Sequence, residues 1–340
     1  MNRKQFLAFF ATTGLLMPLR GLGNIAETES GKAVKIPAFL SPGDTIGITS
    51  PASYITLEEI QPAVQLLESW GFKTAVGSTI GTRDFTLGGT DEMRAADFQQ
   101  MLDRPDIKAV MCARGGYGVV RMIDQLDFTK FKKQPKWIIG FSDITALHAH
   151  INSNFGIASI HSKMCNSFPS DWTKASPMQI ETILSIRQVL SGQPTKYTAA
   201  YNANNRLGAT EGILVGGNLS MIETLAGSKS DLTTDHKILF IEDTREQLYS
   251  IDRMLWNLKR SGKLNKLKAL IIGGFKVKED DPGEEFGRTV YQLVMEKVRE
   301  FNYPVCFDFP VGHQVTNYAL KCGSKYKLEV GAQESSLVSI

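Results

Sequence analysis

The chain of 340 residues has few cysteines and almost no excess of charge of either sign. Its four cysteines, Cys112, Cys165, Cys306 and Cys322, include no C-x-x-C pair, so the sequence predicts neither a zinc centre nor a redox centre. The formal net charge is only +3 and no run of lysine and arginine occurs, which argues against a nucleic-acid partner. The one glycine-rich loop after a strand, at 114–118, matches no nucleotide-binding pattern, so no cofactor is expected.

The first 26 residues differ in kind from the rest of the chain. A short basic segment at 2–4 precedes a mostly apolar stretch at 6–19, and small residues follow. This pattern predicts a secretory signal peptide over residues 1–26, similar to a twin-arginine signal in which lysine replaces the second arginine. We therefore expect an exported, periplasmic protein that meets the membrane only during export. An uncleaved signal that remains as a membrane anchor, and a cytoplasmic location, are the alternatives.

From about residue 44 onward, short apolar strands alternate with amphipathic helices. Such alternation predicts a parallel, doubly wound α/β sheet, in which functional sites form at the carboxyl ends of the strands. The length of the chain favours two domains. The predicted organisation is a linker at 27–40, an N-terminal α/β domain at 41–170, a connection at 171–207 and a mixed α/β C-terminal domain at 208–340.

Ser142 is the candidate nucleophile. It lies between an apolar strand predicted at 137–140 and a helix predicted at 143–155. A serine on a sharp strand-to-helix turn projects from the backbone, where a base can reach its hydroxyl. The segment meets only half of the Gly-x-Ser-x-Gly pattern, because its fifth position is Ile144. The alternative is a serine that merely caps the helix.

The loop around Gly115 and Gly116 is the candidate oxyanion hole. Adjacent glycines allow a close approach of the backbone and turn N–H groups toward an anion. Beside a serine nucleophile, one of these N–H groups and that of Asp143 would bind the developing oxyanion. Taken alone, the loop is equally consistent with a tight turn between strand and helix.

A serine nucleophile needs a base, and the chain has five histidines. His313 lies in a glycine-containing loop just after a predicted strand, where its ring is free to project. Glu242 ends a strongly apolar strand and would orient the imidazole. The alternative is that Asp243 caps a helix while Glu242 faces solvent. His161 ends the fifth predicted strand at the edge of the site and is expected to contact substrate.

The order Ser142, Glu242 and His313, together with the glycine-rich loop, resembles the LD-carboxypeptidases, also called muramoyltetrapeptide carboxypeptidases. The microcin C resistance hydrolases belong to the same family. The matching segments occur in order across roughly residues 40 to 330: 43–51, 114–121, 126–127, 140–147, 216–219, 241–243, 251–255 with Gly262, and 310–317.

The resemblance implies a serine peptidase with a Ser-Glu-His triad and no metal. It also implies a Rossmann-like or flavodoxin-like N-terminal domain, a smaller swivelling β/α C-terminal domain, and a homodimer. The implied substrate is a murein peptide, cut between the L-centre of a diamino acid and the terminal D-alanine. Arg114 and Tyr117 are then candidates for substrate contacts, Arg114 by binding the free carboxylate or, alternatively, by bracing the loop through an acid.

Two segments depart from the family pattern. Residues 161–164 are His-Ser-Lys-Met where the family commonly has His-Gly-Pro-Met, and residues 319–323 are Ala-Leu-Lys-Cys-Gly where Leu-Pro-x-Gly is usual. Both lie by the expected site, leave the triad intact and bear on the substrate instead. Two other functions fit the same residues: hydrolysis of peptidyl acyl-sulfamoyl adenylates, and non-catalytic binding of exported peptides.

Overall fold

The computed structural model describes residues 34–340. The predicted signal peptide at 1–26 and the first part of the predicted linker lie outside these residues. Within the described part of the chain, no helix combines the length and apolar character that a membrane span requires.

The first half of the chain forms a parallel sheet of flavodoxin-like strand order. Its elements are β1 (Thr45–Thr49), α1 (Leu57–Ser69), β2 (Lys73–Val76), α2 (Asp91–Asp103), β3 (Ile107–Cys112), α3 (Val119–Met122), α4 (Thr129–Lys133), β4 (Trp137–Gly140), α5 (Thr145–Phe155) and β5 (Ser159–His161). The five strands pair in parallel in the order β2-β1-β3-β4-β5. In sheets of this order, ligands bind outside the carboxyl ends of the strands.

Helix α1 illustrates how local sequence fixes an element of this domain. It begins at a capping box, in which Thr56 Oγ1 accepts the Glu59 N–H at 3.1 Å and Glu59 Oε2 accepts the Thr56 N–H at 2.8 Å. Ile60, Ala63 and Leu67 recur at helical spacing and are fully buried. Capping therefore sets where the helix starts, and burial of one apolar face attaches it to the sheet.

The second half forms a mixed sheet. Its elements are α6 (Pro177–Leu190), β6 (Lys196–Ala200), β7 (Gly208–Asn218), α7 (Leu219–Thr224), β8 (Lys237–Thr244), α8 (Leu248–Arg260), β9 (Ala269–Lys276), α9 (Val290–Lys297), β10 (Val305–Cys306), β11 (Leu320–Cys322), β12 (Ser324–Val330) and β13 (Glu334–Ser339). Strands β10-β9-β8-β7 are parallel, and β12-β13-β6 continue the same sheet in antiparallel pairing.

Two short strands cross the predicted domain boundaries. Strand β6 lies in the segment 171–207, predicted as a connection, and forms one edge of the second sheet. Strand β11 lies in the predicted C-terminal domain but pairs antiparallel with β5 and so becomes the sixth strand of the first sheet. Strands of three to five residues carry little periodicity, and their place depends on a partner far away in the sequence.

The two sheets meet where helix α5 packs against β7 and α7. Thr145, the first residue of α5, accepts the Asn218 N–H at 3.0 Å through its Oγ1. Gly217 has φ +145° and lies so close that a Cβ there would be 2.4 Å from Thr145 Oγ1. This contact brings the end of β4 beside the ends of β7 and β8.

We predict that Gly217→Ala destabilises the protein strongly, because the new methyl group would collide with Thr145 in addition to straining the backbone. The matched control is Gly227→Ala, where φ is +78° but nothing lies within 4 Å of the added Cβ. We expect the free energy of unfolding to fall by roughly 2–4 kcal/mol for Gly217→Ala and by roughly 1 kcal/mol for the control. Urea unfolding measures both, and equal losses would show that the contact is unimportant.

Candidate active site

Ser142 stands on a strained turn directly after β4. Its φ is +63°, an unfavourable conformation for a residue other than glycine, and a 3₁₀ turn at Ser142–Ile144 leads into α5. The N-cap of α5 is Ile144, so Ser142 does not cap that helix. Gly140 is required because a Cβ there would come within 2.8 Å of the Ile144 side chain. The buried Ile144 thus takes the place of the glycine in the usual elbow pattern.

The glycine loop lies against this turn. A Cβ on Gly115 would be 3.1 Å from Ser142 Cβ, and one on Gly116, where φ is +102°, would be 2.1 Å from Ser53 Oγ. Within the described part of the chain, neither the Gly115 nor the Gly116 N–H donates to another backbone or side-chain group. The N–H of Asp143 lies in the first turn after Ser142, where backbone donors lack partners within the helix. Backbone N–H groups of the glycine loop that have no partner among the described residues therefore lie close to Ser142, and they are candidates for an oxyanion hole.

The carboxyl group of Asp143 has a separate, structural environment. It is buried, and its Oδ2 accepts the Val119 N–H at 2.9 Å at the start of α3. Its Oδ1 has no partner among the described groups. Burial raises the pKa of this carboxyl to about 6. The side chain thus ties the nucleophile turn to the exit of the glycine loop.

A partly exposed His313 pairs with a fully buried Glu242. The His313 Nδ1 lies 2.6 Å from Glu242 Oε2, and the His313 backbone N–H donates to the same oxygen at 3.0 Å. Glu242 is fully buried, which rules out the alternative of a solvent-facing glutamate. The loop approaches the carboxylate this closely because Gly312, with φ +99°, has no side chain; a Cβ there would be 2.4 Å from Glu242 Cβ. A carboxylate at Nδ1 places the imidazole proton there and leaves Nε2 as the acceptor.

Asp243, next to Glu242, is not the N-cap of a helix, but its carboxylate binds the first turn of α7, whose N-cap residue is Asn218. The Asp243 Oδ2 accepts the Ser220 N–H at 2.8 Å in the first turn of α7, and its Oδ1 accepts from Asn218 Nδ2 at 2.9 Å. Burial raises the pKa of this carboxyl to about 6. Asp243 therefore holds α7 at the sheet-to-sheet contact.

Ser142 and His313 line one cavity of about 830 Å³, together with Arg114, Gly115 and Gly116. The His313 ring packs on Phe141 at a centroid distance of 4.9 Å. In the described part of the chain no hydrogen bond joins Ser142 to His313; in enzymes without substrate, such bonds are often long and tighten only in the complex.

The remaining charges around this cavity are all positive. Arg114, Arg245, Lys276 and Lys278 line it, and none of the described lining residues is acidic. Arg245 follows β8, and its backbone N–H donates to Lys276 O at 2.7 Å at the end of β9. Arg245, Lys276 and Lys278 are not among the residues predicted from the sequence. Their position at the ends of predicted strands could have indicated them, because the residues after neighbouring parallel strands meet at one edge of a sheet.

Two family models match this chain. Residues 46–162 match the LD-carboxypeptidase N-terminal domain, and residues 211–328 match the LD-carboxypeptidase C-terminal domain. The chain belongs to the LD-carboxypeptidase family.

Known relatives span nearly the whole chain. A Bacillus subtilis (strain 168) protein named "Probable murein peptide carboxypeptidase" is 32% identical, over 85% of this chain and 90% of its own length. The Escherichia coli microcin C7 self-immunity protein MccF is 28% identical, over 89% and 95%. The crystal structure of muramoyltetrapeptide carboxypeptidase from Oxalobacter formigenes has a TM-score of 0.76 and 28% identity, over 87% of this chain and 98% of that chain. Both the sequence and the two-domain fold are thus those of the LD-carboxypeptidases.

The structure places the three predicted substrate contacts in different environments. Arg114 lines the cavity, and its Nη1 donates to the Tyr54 carbonyl at 3.1 Å rather than pairing with an acid. The Tyr117 side chain is half exposed and is not part of the cavity lining. The prediction that His161 contacts substrate is wrong. His161 is fully buried and its Nε2 lies 3.1 Å from Asn317 Oδ1, so it cannot contact a substrate in the cavity.

Two buried side chains support the candidate site from behind, and no sequence motif marks either. Arg94 donates through Nη1 to Pro51 O at 2.6 Å and to Gly118 O at 2.8 Å, which joins the loops after β1 and β3. The His148 Nε2 lies 2.9 Å from Gly140 O beneath the nucleophile turn, and burial lowers its pKa to about 4. A buried arginine or histidine in a helix has no distinctive spacing, so only the fold reveals its role.

We predict that Asp143→Asn becomes more stable relative to the unmodified protein as the pH rises. The Asp143 carboxyl has a pKa of about 6 in the folded state against an ordinary value of 3.8. Because the folded state favours the protonated carboxyl, the free energy of unfolding of the unmodified protein falls as the pH rises and this group ionises. Between pH 4 and pH 7 we expect the difference in free energy of unfolding to move in favour of the variant by roughly 2 kcal/mol.

Urea unfolding at pH 4, 5, 6 and 7 measures this change. The control is Asp171→Asn, where hydrogen bonds with Thr173 lower the pKa of an exposed carboxyl, so any trend should run the opposite way. A difference for Asp143→Asn that does not vary with pH would contradict the assignment of a buried, raised pKa.

Proposed function

We propose that the protein is a serine carboxypeptidase that hydrolyses the L,D-peptide bond to the terminal D-alanine of murein tetrapeptides. The observation that carries the proposal is the pairing of His313 with the buried Glu242, with 2.6 Å between Nδ1 and Oε2, on the same cavity as the strained Ser142. Membership of the LD-carboxypeptidase family, and the names of its relatives, support the substrate class.

The proposed mechanism follows from the positions of these groups. Glu242 holds the imidazole with its proton on Nδ1, and Nε2 takes the hydroxyl proton as Ser142 Oγ attacks the scissile carbonyl. The oxyanion accepts hydrogen bonds from the N–H groups of Asp143 and of Gly115 or Gly116. His313 then passes the proton to the departing amine of D-alanine. A water molecule, deprotonated by His313, cleaves the acyl-enzyme and releases the tripeptide acid.

The charge of the cavity favours a substrate with several carboxylates. Arg114, Arg245, Lys276 and Lys278 line it without an acidic counterpart among the described lining residues. A murein tetrapeptide carries a free terminal carboxylate, which a carboxypeptidase must recognise, and we propose that Arg114 contributes to binding it. Its guanidinium presents the forked donor geometry that suits a carboxylate.

We predict that Ser142→Ala abolishes release of D-alanine from a murein tetrapeptide, with kcat reduced at least roughly 10⁴-fold, because the nucleophile is lost. The matched control is Ser162→Ala, since Ser162 is buried beside the site but its hydroxyl only donates to Lys163 O. Mass spectrometry identifies the released amino acid, and circular dichroism shows whether each variant is folded. Full activity in Ser142→Ala would reject the mechanism, and a tetrapeptide amidated at its C-terminus that is cut equally well would reject the carboxypeptidase assignment.

A second candidate function is hydrolysis of peptidyl acyl-sulfamoyl adenylates. The specific observation in its favour is the 28% identity to MccF over 89% of this chain. The same Ser142, Glu242 and His313 would serve, so only the substrate separates the two functions. Turnover of an aminoacyl sulfamoyl adenosine at a higher kcat/KM than a murein tetrapeptide would favour this alternative.

We also propose that the protein is exported to the periplasm and forms a homodimer. The basic and apolar N-terminal sequence supports export, and the family resemblance supports the dimer. The expected result is a shortened protein in the periplasmic fraction that elutes at twice the mass of one chain in light-scattering chromatography. Full-length protein in the cytoplasm would overturn the first proposal, and a monomer at micromolar concentration the second.

A further inference from the structure

A second cavity of about 500 Å³ adjoins the active-site cavity. The two share Asn166, and the second is also lined by Lys163, Phe168, Gln179, Thr182 and Val315. Its wall is formed by the segment after β5, by the start of α6 and by the loop that follows His313. Asn166 thus borders both cavities, which makes the second one a candidate extension of the active-site cavity.

Lys163 stands at the junction of the two cavities. Its Nζ donates to Gln314 O at 2.7 Å, one residue after His313. The same Nζ lies 5.6 Å from the ring centroid of Phe141, which lines the active-site cavity. An ammonium group has three N–H donors. Among the described residues only Gln314 accepts one of them, so two remain for a ligand.

The charge of Lys163 is not matched by the protein around it. In the described part of the chain, no carboxylate lies within ion-pair distance of its Nζ, and no acidic residue lines the second cavity. The Glu242 carboxylate is engaged by His313. Burial, and next the like charge of Lys276, lower the pKa of Lys163 to about 8, which Glu242 offsets only in part. A half-buried cation without an anionic partner is costly, and a bound carboxylate would remove that cost.

We propose that the second cavity is a subsite for the part of the peptide on the N-terminal side of the scissile bond, and that Lys163 binds a carboxylate of the substrate there. The proposal rests on the proposed function and names a specificity-determining residue for it. Lysine occupies the position at which the resembling family commonly has proline, so this contact would distinguish the chain from its relatives. Two carboxylates of the substrate could bind Lys163. One is the α-carboxylate of a γ-linked glutamate before the diamino acid, and the other is the side-chain carboxylate of the diamino acid.

The test compares tetrapeptides that carry each carboxylate free with analogues in which that one group is an amide. We expect Lys163→Met to lower kcat/KM roughly 10- to 100-fold for the free carboxylate at one of the two positions, mainly through KM, and less than about threefold for the amide. Lys163→Arg should keep the preference for the free carboxylate. For the unmodified protein, KM for the acidic substrate should rise as the pH increases through about 8, because the ammonium is lost.

The control variant is Lys136→Met. Lys136 is also buried, its Nζ also donates to a backbone carbonyl, that of Met101, at 2.9 Å, and burial lowers its pKa to about 8, but it lines neither cavity. It should leave the preference unchanged. An equal loss of kcat on acid and amide substrates would show that Lys163 only holds the His313 loop, and an unchanged preference at both positions in Lys163→Met would show that it binds no carboxylate. Either result overturns the proposal.

Failure of the proposed function is distinguishable from failure of the subsite. If the unmodified protein releases no D-alanine from any tetrapeptide, the function is wrong. Calorimetry with the tripeptide acids and their amides then measures the subsite without turnover. A preference for one acid that Lys163→Met abolishes supports the role of Lys163, and equal binding of acid and amide rejects it.

Discussion

The contact between Thr145 and the end of β7 is the constraint on which the site depends. The residues of the site come from two sheets, and neither sheet contains them all. Because Gly217 has no side chain, the first turn of α5 can lie directly on β7 and accept the Asn218 N–H. That approach places Ser142, at the end of β4, beside the loop that carries His313.

Charge is distributed around the site in two layers. Carboxyl groups are buried beneath it and engaged by specific donors: Glu242 by His313, Asp143 by the start of α3, and Asp243 by the start of α7. Cationic side chains surround the cavity above, without acids among the described lining residues. A carboxylate that orients an imidazole keeps its role only if it does not pair with these cations, and its burial provides that separation. The open surface is left free to attract anionic peptides.

Much of the fold could be predicted from the sequence because the relevant signals are local. Capping residues and apolar spacing mark α1, and the apolar run before Ser142 marks β4 and the turn that follows. Three kinds of feature could not be predicted. The short strands β6 and β11 depend on distant partners, Arg94 acts on loops far apart in the chain, and His161 faces the interior although it ends a strand beside the site. Each of these features depends on contacts with elements from distant parts of the chain.

The sequence by itself indicated the candidate catalytic residues: a serine on a strand-to-helix turn, a glutamate that ends an apolar strand, and a histidine after a glycine, in an order that resembles one peptidase family. These are properties of single segments, which backbone preference and the burial of apolar residues specify locally. Only the tertiary structure decided that His313 lies within hydrogen-bonding distance of Glu242, that His161 is buried, and that four cations and a second cavity surround the site. Those facts arise from packing between segments tens to hundreds of residues apart, and no local pattern encodes the distance between two such segments.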